Sequence, residues 1–329
     1  MRILATGGAG YVGSHCLRRF RDLGHEIVAY DNLSEGNAAA LDGILLVKGD
    51  IRDRATLAEA LTRHGIDAVA HFAALISVPA SIGDPRAYWS VNVVGTQCLL
   101  DAMVETGVTR LVASSTAAVY DHAAAMPLSE ASALAPATPY GSSKLAMEYL
   151  IRDYARAYGL SASCLRYFNA AGAAPGGAFG EARRIESHVV PLLMEFVLGK
   201  RAGFKVFGTD WPTADGSCIR DFVHLDDLAD AHLLALEAGQ TGETAVYNLG
   251  TGQGTSVLEV IAAAERIIGR PLGVEHAARR SGDPAVLVAD AAAIGRDLGW
   301  VPQRSSIEAI LADAWAWHGA HPDGYGTWC

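Results

Sequence analysis

The sequence predicts an α/β protein built on a Rossmann-type, doubly wound parallel sheet, with a smaller α/β lobe in the second half of the chain. Two observations lead to this fold class. Short apolar runs alternate with helical patterns through the first half, and a glycine-rich loop follows the first run. Such alternation is typical of a parallel sheet that helices cover on both faces.

Five apolar runs in the first half predict strands, and they lie at residues 2–6, 26–30, 68–72, 110–114 and 161–166. The helical patterns at residues 12–23 and 91–106 are followed directly by Gly24 and Gly107, and glycine commonly ends helices. After Asn169, the segment AAGAAPGGAFGEARR is rich enough in Gly, Pro and Ala to end regular structure. We therefore expect one domain at residues 1–175 and a second at residues 176–329, with a strand at 245–249 returning to complete the first sheet.

Composition excludes several functional classes. The chain has 329 residues, 50% of them hydrophobic, which suffices for one large core or two modest ones. Its net charge of -10 would repel nucleic acid. No apolar run reaches the roughly 18 residues of a membrane span. We expect a soluble, cytoplasmic protein with neither nucleic acid nor a membrane as partner.

Neither the cysteines nor the histidines predict a metal site. The cysteines lie far apart, without the paired spacing of zinc sites or redox loops; they are Cys16, Cys98, Cys164, Cys218 and Cys329. His71 and His224 each lack a second ligand at a recognisable spacing. We expect reduced thiols, structural histidines and no metal.

The loop ILATGGAGYVG indicates a dinucleotide site. Its glycines, which include Gly7, Gly10 and Gly13, let a pyrophosphate approach the backbone at a helix N-terminus, where free N–H groups and the helix dipole favour negative charge. Asp31 ends the second strand, where a carboxylate accepts hydroxyls of the adenosine ribose and repels a 2′-phosphate. NAD is therefore preferred over NADP. The alternative is a tight turn without a ligand, followed by a polar turn at Asp31.

A second pattern places Tyr140 and Lys144 four residues apart, on one face of a helix that starts near Tyr140. An ammonium near a phenol lowers the phenol pKa and makes it a usable base. Upstream, Ser114, Ser115 and Thr116 end a strand at the sheet edge where ligands bind. The alternatives are a solvated helix face for the first pair and backbone capping for the hydroxyls.

The segments TGGAGYVGSH, DNLSEGN, GDIRD, HFAA, VNVVGT, SSTAAVY, YGSSK and RYFNAAGA occur in the order found in the extended short-chain dehydrogenase/reductase family. The second half adds VFGTDWPTADGSCIRDFVHLDDLADAH, YNLGTGQGTSVLEV and RRSGDPAVLVAD. Within that family, the chain resembles the UDP-glucose 4-epimerases over essentially its whole length.

This resemblance implies a role for each matching residue. Tyr140 would be the acid/base, Lys144 would tune it and hold the nicotinamide ribose, and Thr116 would hydrogen-bond the sugar C4 hydroxyl. The implied NAD-binding residues are Gly7, Gly10, Tyr11, Val12, Asp31, Asn32, Asp50, Ile51, Phe72, Ala73, Ala74, Asn92, Ser114, Tyr140, Lys144 and Phe168. The implied substrate-binding residues are Thr116, Tyr140, Asn169, His188, Val189, Phe207, Arg220, Arg280 and Asp283. Residues 176–329 would then form the nucleotide-sugar-binding domain.

The implied reaction inverts C4 of a UDP-hexose, UDP-glucose or UDP-galactose, through a transient 4-keto sugar. A UDP-N-acetylhexosamine or a UDP-pentose is an alternative substrate. A 4,6-dehydratase is disfavoured, because Ala117 and Ala118 stand where dehydratases of the family carry an acidic pair. A non-catalytic NAD-binding sensor is disfavoured, because it would need no chemistry from Tyr140 and Lys144 together.

Two departures from the family pattern concern ligand contacts. Ile76 stands where many relatives have a lysine near the cofactor, so that positive charge is missing. Leu287 stands where relatives specific for unmodified hexoses often carry a bulky aromatic.

The pattern and the resemblance both point to a homodimer. Helical patterns at 92–106 and 142–158 are apolar around much of their circumference, and the family typically pairs through such helices. The alternative is additional burial within one chain.

Overall fold

The computed structural model describes residues 1–280 and 283–326. Its largest element is a parallel sheet of seven strands, and the strands run in the spatial order β10 (Thr244–Leu249), β6 (Ser161–Tyr167), β5 (Arg110–Thr116), β4 (Ala68–His71), β1 (Arg2–Thr6), β2 (Glu26–Asp31) and β3 (Leu45–Lys48). The chain reverses its direction of winding between β1 and β4, which makes the sheet doubly wound and opens a crevice at the carboxyl ends of its strands. The predicted Rossmann-type fold is confirmed.

Eleven α-helices are found in the described residues. They are α1 (Tyr11–Asp22), α2 (Arg54–Arg63), α3 (Val78–Gly83), α4 (Pro85–Tyr88), α5 (Gly95–Thr106), α6 (Pro139–Tyr158), α7 (Val189–Val197), α8 (Leu225–Ala238), α9 (Val257–Ile268), α10 (Ala292–Leu298) and α11 (Ile307–Ala320). Short 3₁₀ turns occur at Ala38–Leu41, Ala117–Val119 and Pro175–Gly177. Within the described residues, no helix is both long and apolar enough to cross a bilayer.

Alternate side chains of the sheet enter two separate cores. Ile3 and Ala5 pack with α1, α8 and α10 on one face, whereas Leu4 packs with α2, α5 and α6 on the other. This alternation follows from the two-residue repeat of a strand. Because both faces are covered, the strands are apolar throughout, and that is the pattern that made them recognisable in the sequence.

The smaller lobe contains two further sheets. In one, β9 (Ile219–His224) pairs with β7 (Asn169–Ala171), β11 (Gly254–Ser256) and β13 (Val286–Leu287); in the other, β8 (Lys205–Phe207) pairs with β12 (Glu275–Ala277). Helices α7, α9 and α11 supply its core. Since α8 and β10 lie with the seven-stranded sheet, the chain crosses between lobes more than once, and a boundary near residue 175 stays a prediction.

Two elements differ from the sequence-based expectations. β3 was not predicted, because it is a four-residue edge strand with two exposed residues and no alternating pattern. The helix expected at residues 91–106 begins earlier, with a π-helical stretch at Trp89–Val94 that leads into α5. Gly107 ends it in the left-handed conformation, as predicted.

The glycine loop has no room for a side chain. Gly7 has φ +69°, and a Cβ there would lie 2.5 Å from the backbone nitrogen of Ala73. Gly24, at the end of α1, also has a positive φ (+89°), but nothing lies within 4 Å of the corresponding position. A substitution at Gly24 therefore has only the cost of the backbone conformation, whereas a substitution at Gly7 adds the cost of crowding.

We expect Gly24→Ala to lower the free energy of unfolding by roughly 1 kcal/mol, the cost of a left-handed alanine. Gly7→Ala should cost roughly 2 kcal/mol more, because the methyl group collides with backbone that cannot move aside. Urea unfolding followed by circular dichroism measures both. Equal losses for the two variants would contradict this account of the loop.

Candidate active site

One cavity of about 1220 Å³ extends from the glycine loop across the carboxyl ends of β5 and β6 into the smaller lobe. Gly7 and Gly10 border one end, Tyr140 and Lys144 the middle, and Arg220 the other end. The cavity therefore lies at the point where doubly wound sheets bind ligands.

The middle of the cavity is formed where β5 meets α6. Thr138 caps α6 by accepting a hydrogen bond from the Gly141 backbone N–H (3.2 Å), so Tyr140 and Lys144 lie in its first two turns, both buried. Thr116 ends β5, and its side chain lies close enough to Tyr140 to influence the phenol. The structure thus brings together the three residues predicted to be catalytic.

Burial controls the protonation of this group. It raises the pKa of Tyr140 to about 12, although the nearby Thr116 hydroxyl and the positive charge of Arg183 act in the opposite direction. It also lowers the pKa of Lys144 to about 8, because an ammonium is costly in a low-dielectric interior. The expected low phenol pKa is not found in this structure, because desolvation outweighs the nearby charges. The effect of Lys144 on the phenol stays a prediction.

The end near the glycine loop fits the diphosphate of a dinucleotide. α1 begins after Gly10 without a side-chain cap, so the first N–H groups of the helix are free to bind an anion. The crowding at Gly7 brings backbone, rather than side chains, to this part of the wall. Of the predicted NAD-binding residues, the cavity is bordered by Gly7, Gly10, Tyr11, Val12, Phe72, Ala74, Ser114, Tyr140, Lys144 and Phe168.

Six other residues predicted to bind NAD do not border the cavity: Asp31, Asn32, Asp50, Ile51, Ala73 and Asn92. Asp31 is buried, and its carboxylate accepts the backbone N–H groups of Ala9 (2.9 Å) and Leu33 (2.7 Å). It therefore shapes the loops on either side of the adenosine end, and its contact with a ribose stays a prediction.

Asn32, Asp50 and Ile51 lie beyond this end of the cavity. Asn32 donates to Asp50 (3.1 Å), whose carboxylate also binds Arg52 (2.7 Å). The side chain of Ile51 packs under Gly95.

Asn92 supports the cavity wall from behind. Its Oδ1 accepts the Leu75 N–H (2.9 Å), and its Nδ2 donates to the Leu75 carbonyl (3.0 Å) and to Ser143 Oγ (3.0 Å). Asn92 thereby ties the loop after β4, which borders the cavity at Phe72, Ala74 and Ile76, to α6. Ala73 lies in the same loop, with its backbone against Gly7.

All the predicted substrate residues border the cavity: Thr116, Tyr140, Asn169, His188, Val189, Phe207, Arg220, Arg280 and Asp283. Arg280 stacks on the ring of Phe207, 3.8 Å from its centroid, and α7 begins after His188 without a side-chain cap. Two guanidinium groups and open backbone N–H groups suit a second diphosphate. Leu287, by contrast, packs with Phe168 against a small core and does not border the cavity.

A charged cluster in the cavity wall was missed by sequence reasoning. Glu181 accepts from Arg183 Nε (2.6 Å), and His188 Nδ1 lies 2.8 Å from the same carboxylate oxygen. Burial and the neighbouring Glu181 raise the pKa of Glu186 to about 7. Ligand atoms of Glu181, Glu186 and His188 lie within 4.8 Å of one another, so the absence of a metal stays a prediction.

Other cavity residues also went unrecognised, among them Ser34, Glu35, Asn37, Tyr88, Arg183 and Tyr325. The first three follow Asp31 within the segment DNLSEGN, so their position was a usable signal. Arg183 lies in a segment that its composition marked only as a loop, and Tyr325 is remote in sequence from every recognised pattern.

Comparisons with known proteins agree with this geometry. Residues 3–250 match the model of the "NAD dependent epimerase/dehydratase family". The chain is 45% identical to a UDP-glucose 4-epimerase of Halalkalibacterium halodurans, over 99% of this chain and 98% of the relative.

Two solved structures are also similar. A UDP-glucose 4-epimerase from Brucella ovis in complex with NAD is 42% identical, with a TM-score of 0.92, and the match covers 95% of this chain and 97% of that one. A UDP-glucose 4-epimerase from Stenotrophomonas maltophila, with bound NAD and formylated UDP-arabinopyranose, is 38% identical, with a TM-score of 0.94 over 98% and 99% of the two chains.

The position of Asn92 predicts an indirect effect on the cofactor. Asn92→Ala should lower the free energy of unfolding by roughly 2 kcal/mol, because it leaves both backbone groups of Leu75 without their partner. It should also weaken NAD binding, measured by calorimetric titration, because the loop after β4 loosens. Ser143→Ala removes only one of the three hydrogen bonds and should have a smaller effect on both. Wild-type stability and NAD affinity in Asn92→Ala would contradict the proposed support.

Proposed function

Because this chain belongs to the NAD dependent epimerase/dehydratase family, we propose that it is an isomerase that inverts C4 of a UDP-hexose, interconverting UDP-glucose and UDP-galactose through a transient 4-keto sugar. NAD is its cofactor. The observation that carries this proposal is the meeting of Thr116, Tyr140 and Lys144 in a cavity with anion-binding groups at both ends.

The two ends of the cavity suggest which part of the chain binds the cofactor and which part binds the substrate. Residues 1–175, with the strand β10, would hold the cofactor at the uncapped N-terminus of α1. Residues 176–329 would hold the nucleotide sugar, with Arg220 and Arg280 on its diphosphate and Phe207 beside it. Tight binding of the nucleotide leaves the sugar ring free to turn in the middle of the cavity.

NAD, when bound, supplies the hydride acceptor and a positive charge that favours the ionised phenol. Tyr140 takes the proton of the C4 hydroxyl as C4 is oxidised, and Thr116 orients both oxygens through its hydrogen bond. Lys144, charged below its pKa of about 8, favours the phenolate. After the ring has turned, C4 would regain the hydride on its opposite face while Tyr140 returns the proton to the C4 oxygen, so no net oxidation results.

A UDP-hexose is the first candidate substrate, because the relative from Halalkalibacterium halodurans is a UDP-glucose 4-epimerase. A UDP-pentose is the second candidate, because the Stenotrophomonas protein was solved with a UDP-arabinopyranose derivative. A UDP-N-acetylhexosamine is the third, because a 38% identical solved structure is that of a UDP-Glc/GlcNAc 4-epimerase from Campylobacter jejuni. Side-by-side turnover of UDP-glucose, UDP-N-acetylglucosamine and UDP-xylose separates the three.

We also propose that the protein is a cytoplasmic homodimer. Four cysteines in the described residues are free, as is usual in a reducing compartment. On α5 and α6, the exposed apolar side chains Val104, Tyr149 and Tyr158 lie on helices that pack together. Pairing of these helices with those of a second copy would cover them.

Replacing the proposed acid/base tests the function directly. We expect Tyr140→Phe to reduce kcat for UDP-galactose formation by roughly 100-fold or more, because the hydroxyl that moves the proton is gone. Tyr149→Phe is the matched control, since Tyr149 lies on the same helix with its side chain exposed. Turnover of Tyr140→Phe within threefold of the wild type, roughly 0.7 kcal/mol in barrier, would refute the assignment.

The proposed interface predicts a change of oligomeric state. Val104→Glu places an unpaired charge in the interface and should convert the dimer to a monomer in multi-angle light scattering. Val301→Glu, at an exposed valine outside α5 and α6, should leave the dimer intact. A wild-type protein that is monomeric at micromolar concentration would contradict the proposal.

A further inference from the structure

A buried ion pair lies directly behind the proposed catalytic residues. Arg166, on β6, donates to both carboxylate oxygens of Glu148, on α6, at 2.9 and 2.6 Å. The side chains of both residues are at most 5% exposed. Ser115, next to Thr116 at the end of β5, donates to the same carboxylate at 2.5 Å. Three elements that form the middle of the cavity therefore converge on Glu148.

The network continues into the segments that follow these strands. Arg166 Nη1 donates to the hydroxyl of Tyr120 (2.8 Å), which donates to the side chain of Asn248 on β10 (2.7 Å). Each of these residues is buried. Each guanidinium nitrogen of Arg166 and each carboxylate oxygen of Glu148 thus has a hydrogen-bond partner. A buried ion pair is tolerated when its polar atoms are satisfied in this way.

A buried ion pair is weak evidence for stability, because desolvation cancels much of the attraction. Its position suggests a different use. Glu148 is one helical turn beyond Lys144, and Ser115 immediately precedes Thr116. The hydrogen bond from Ser115 to Glu148 therefore joins the two elements whose side chains must meet over the substrate, and Arg166 holds the same carboxylate from β6.

We propose, on the basis of the function proposed above, that Glu148 and Arg166 are positioning residues for this reaction. Glu148 holds the end of β5 against α6 through Ser115, Arg166 fixes the same carboxylate from β6, and the negative charge of Glu148 lies one helical turn from Lys144.

Of the titratable groups around Lys144, Glu148 is the one that supplies a negative charge. His71 on β4, Cys164 on β6 and Glu148 on α6 are the titratable groups that interact with Lys144. Burial lowers the pKa of His71 to about 3, so this ring is neutral, and burial raises the pKa of Cys164, so this thiol is protonated. Glu148, bound to Arg166 and Ser115, is the anion of the three, and it opposes the fall in the Lys144 pKa caused by burial.

Removal of the Glu148 charge should shift the pH dependence of kcat in one direction. Lys144 is charged below its pKa, so the alkaline limb of the kcat profile marks the loss of that charge. Glu148→Gln removes the anion and leaves Arg166 uncompensated, and both changes lower the Lys144 pKa. The alkaline limb should move to lower pH by about 1 unit. At pH 7, kcat should fall roughly 2-fold, and above pH 8 the loss should approach 10-fold. KM should change little, because the nucleotide contacts are remote.

Tyr120→Phe is the matched control. It removes a hydrogen bond of Arg166 but leaves both charges, so it should lower the unfolding temperature and leave the alkaline limb where it is in the wild type. If Glu148→Gln fails to fold because Arg166 is left unpaired, the double variant Glu148→Gln/Arg166→Gln removes both charges and should fold. Its alkaline limb should also lie below that of the wild type, by a smaller amount.

The outcomes separate this proposal from the one on which it depends. A folded Glu148→Gln variant, or a folded double variant in its place, whose alkaline limb coincides with the wild type would overturn the role of Glu148. A wild-type protein that interconverts none of the UDP-sugars would instead overturn the proposed function.

Discussion

The hydrogen bond between Ser115 and Glu148 is the interaction on which the site depends, because it joins the strand that ends in Thr116 to the helix that carries Tyr140 and Lys144. A doubly wound sheet fixes where β5 ends, and the cap at Thr138 fixes where α6 begins. Only when both positions are correct do the phenol and the ammonium face the same cavity. Arg166, on the neighbouring strand β6, fixes the carboxylate of Glu148 in that position.

Burial and charge are distributed unevenly along the cavity. In the middle, desolvation raises the pKa of Tyr140 and lowers that of Lys144, so burial disfavours the charged form of each group. At the ends, helix N-termini and the guanidinium groups of Arg220 and Arg280 favour anions. The ends therefore supply binding energy for charged ligands, whereas ionisation of the phenol in the middle depends on positive charge brought close to it.

Much of the fold could be predicted because it depends on local signals. Buried parallel strands are continuous apolar runs, and glycine marks the loop at Gly7 and the helix end at Gly107. β3 was not predicted, because an edge strand is only half buried. The cluster around Glu181 and Arg183 was not predicted, because its residue types also occur on any solvated loop. The direction of the Tyr140 pKa shift was not predicted, because desolvation depends on packing from distant segments, which the spacing along one helix does not reveal.

The central claim is that one carbon of the sugar meets both the phenol of Tyr140 and the hydride acceptor in one cavity. Turnover of UDP-glucose carrying deuterium at C4, followed by NMR of the product, tests this most directly. We expect the deuterium to stay at C4 of UDP-galactose, because the hydride that leaves C4 returns to the same carbon without exchange. Replacement of that deuterium by hydrogen from the solvent would contradict it.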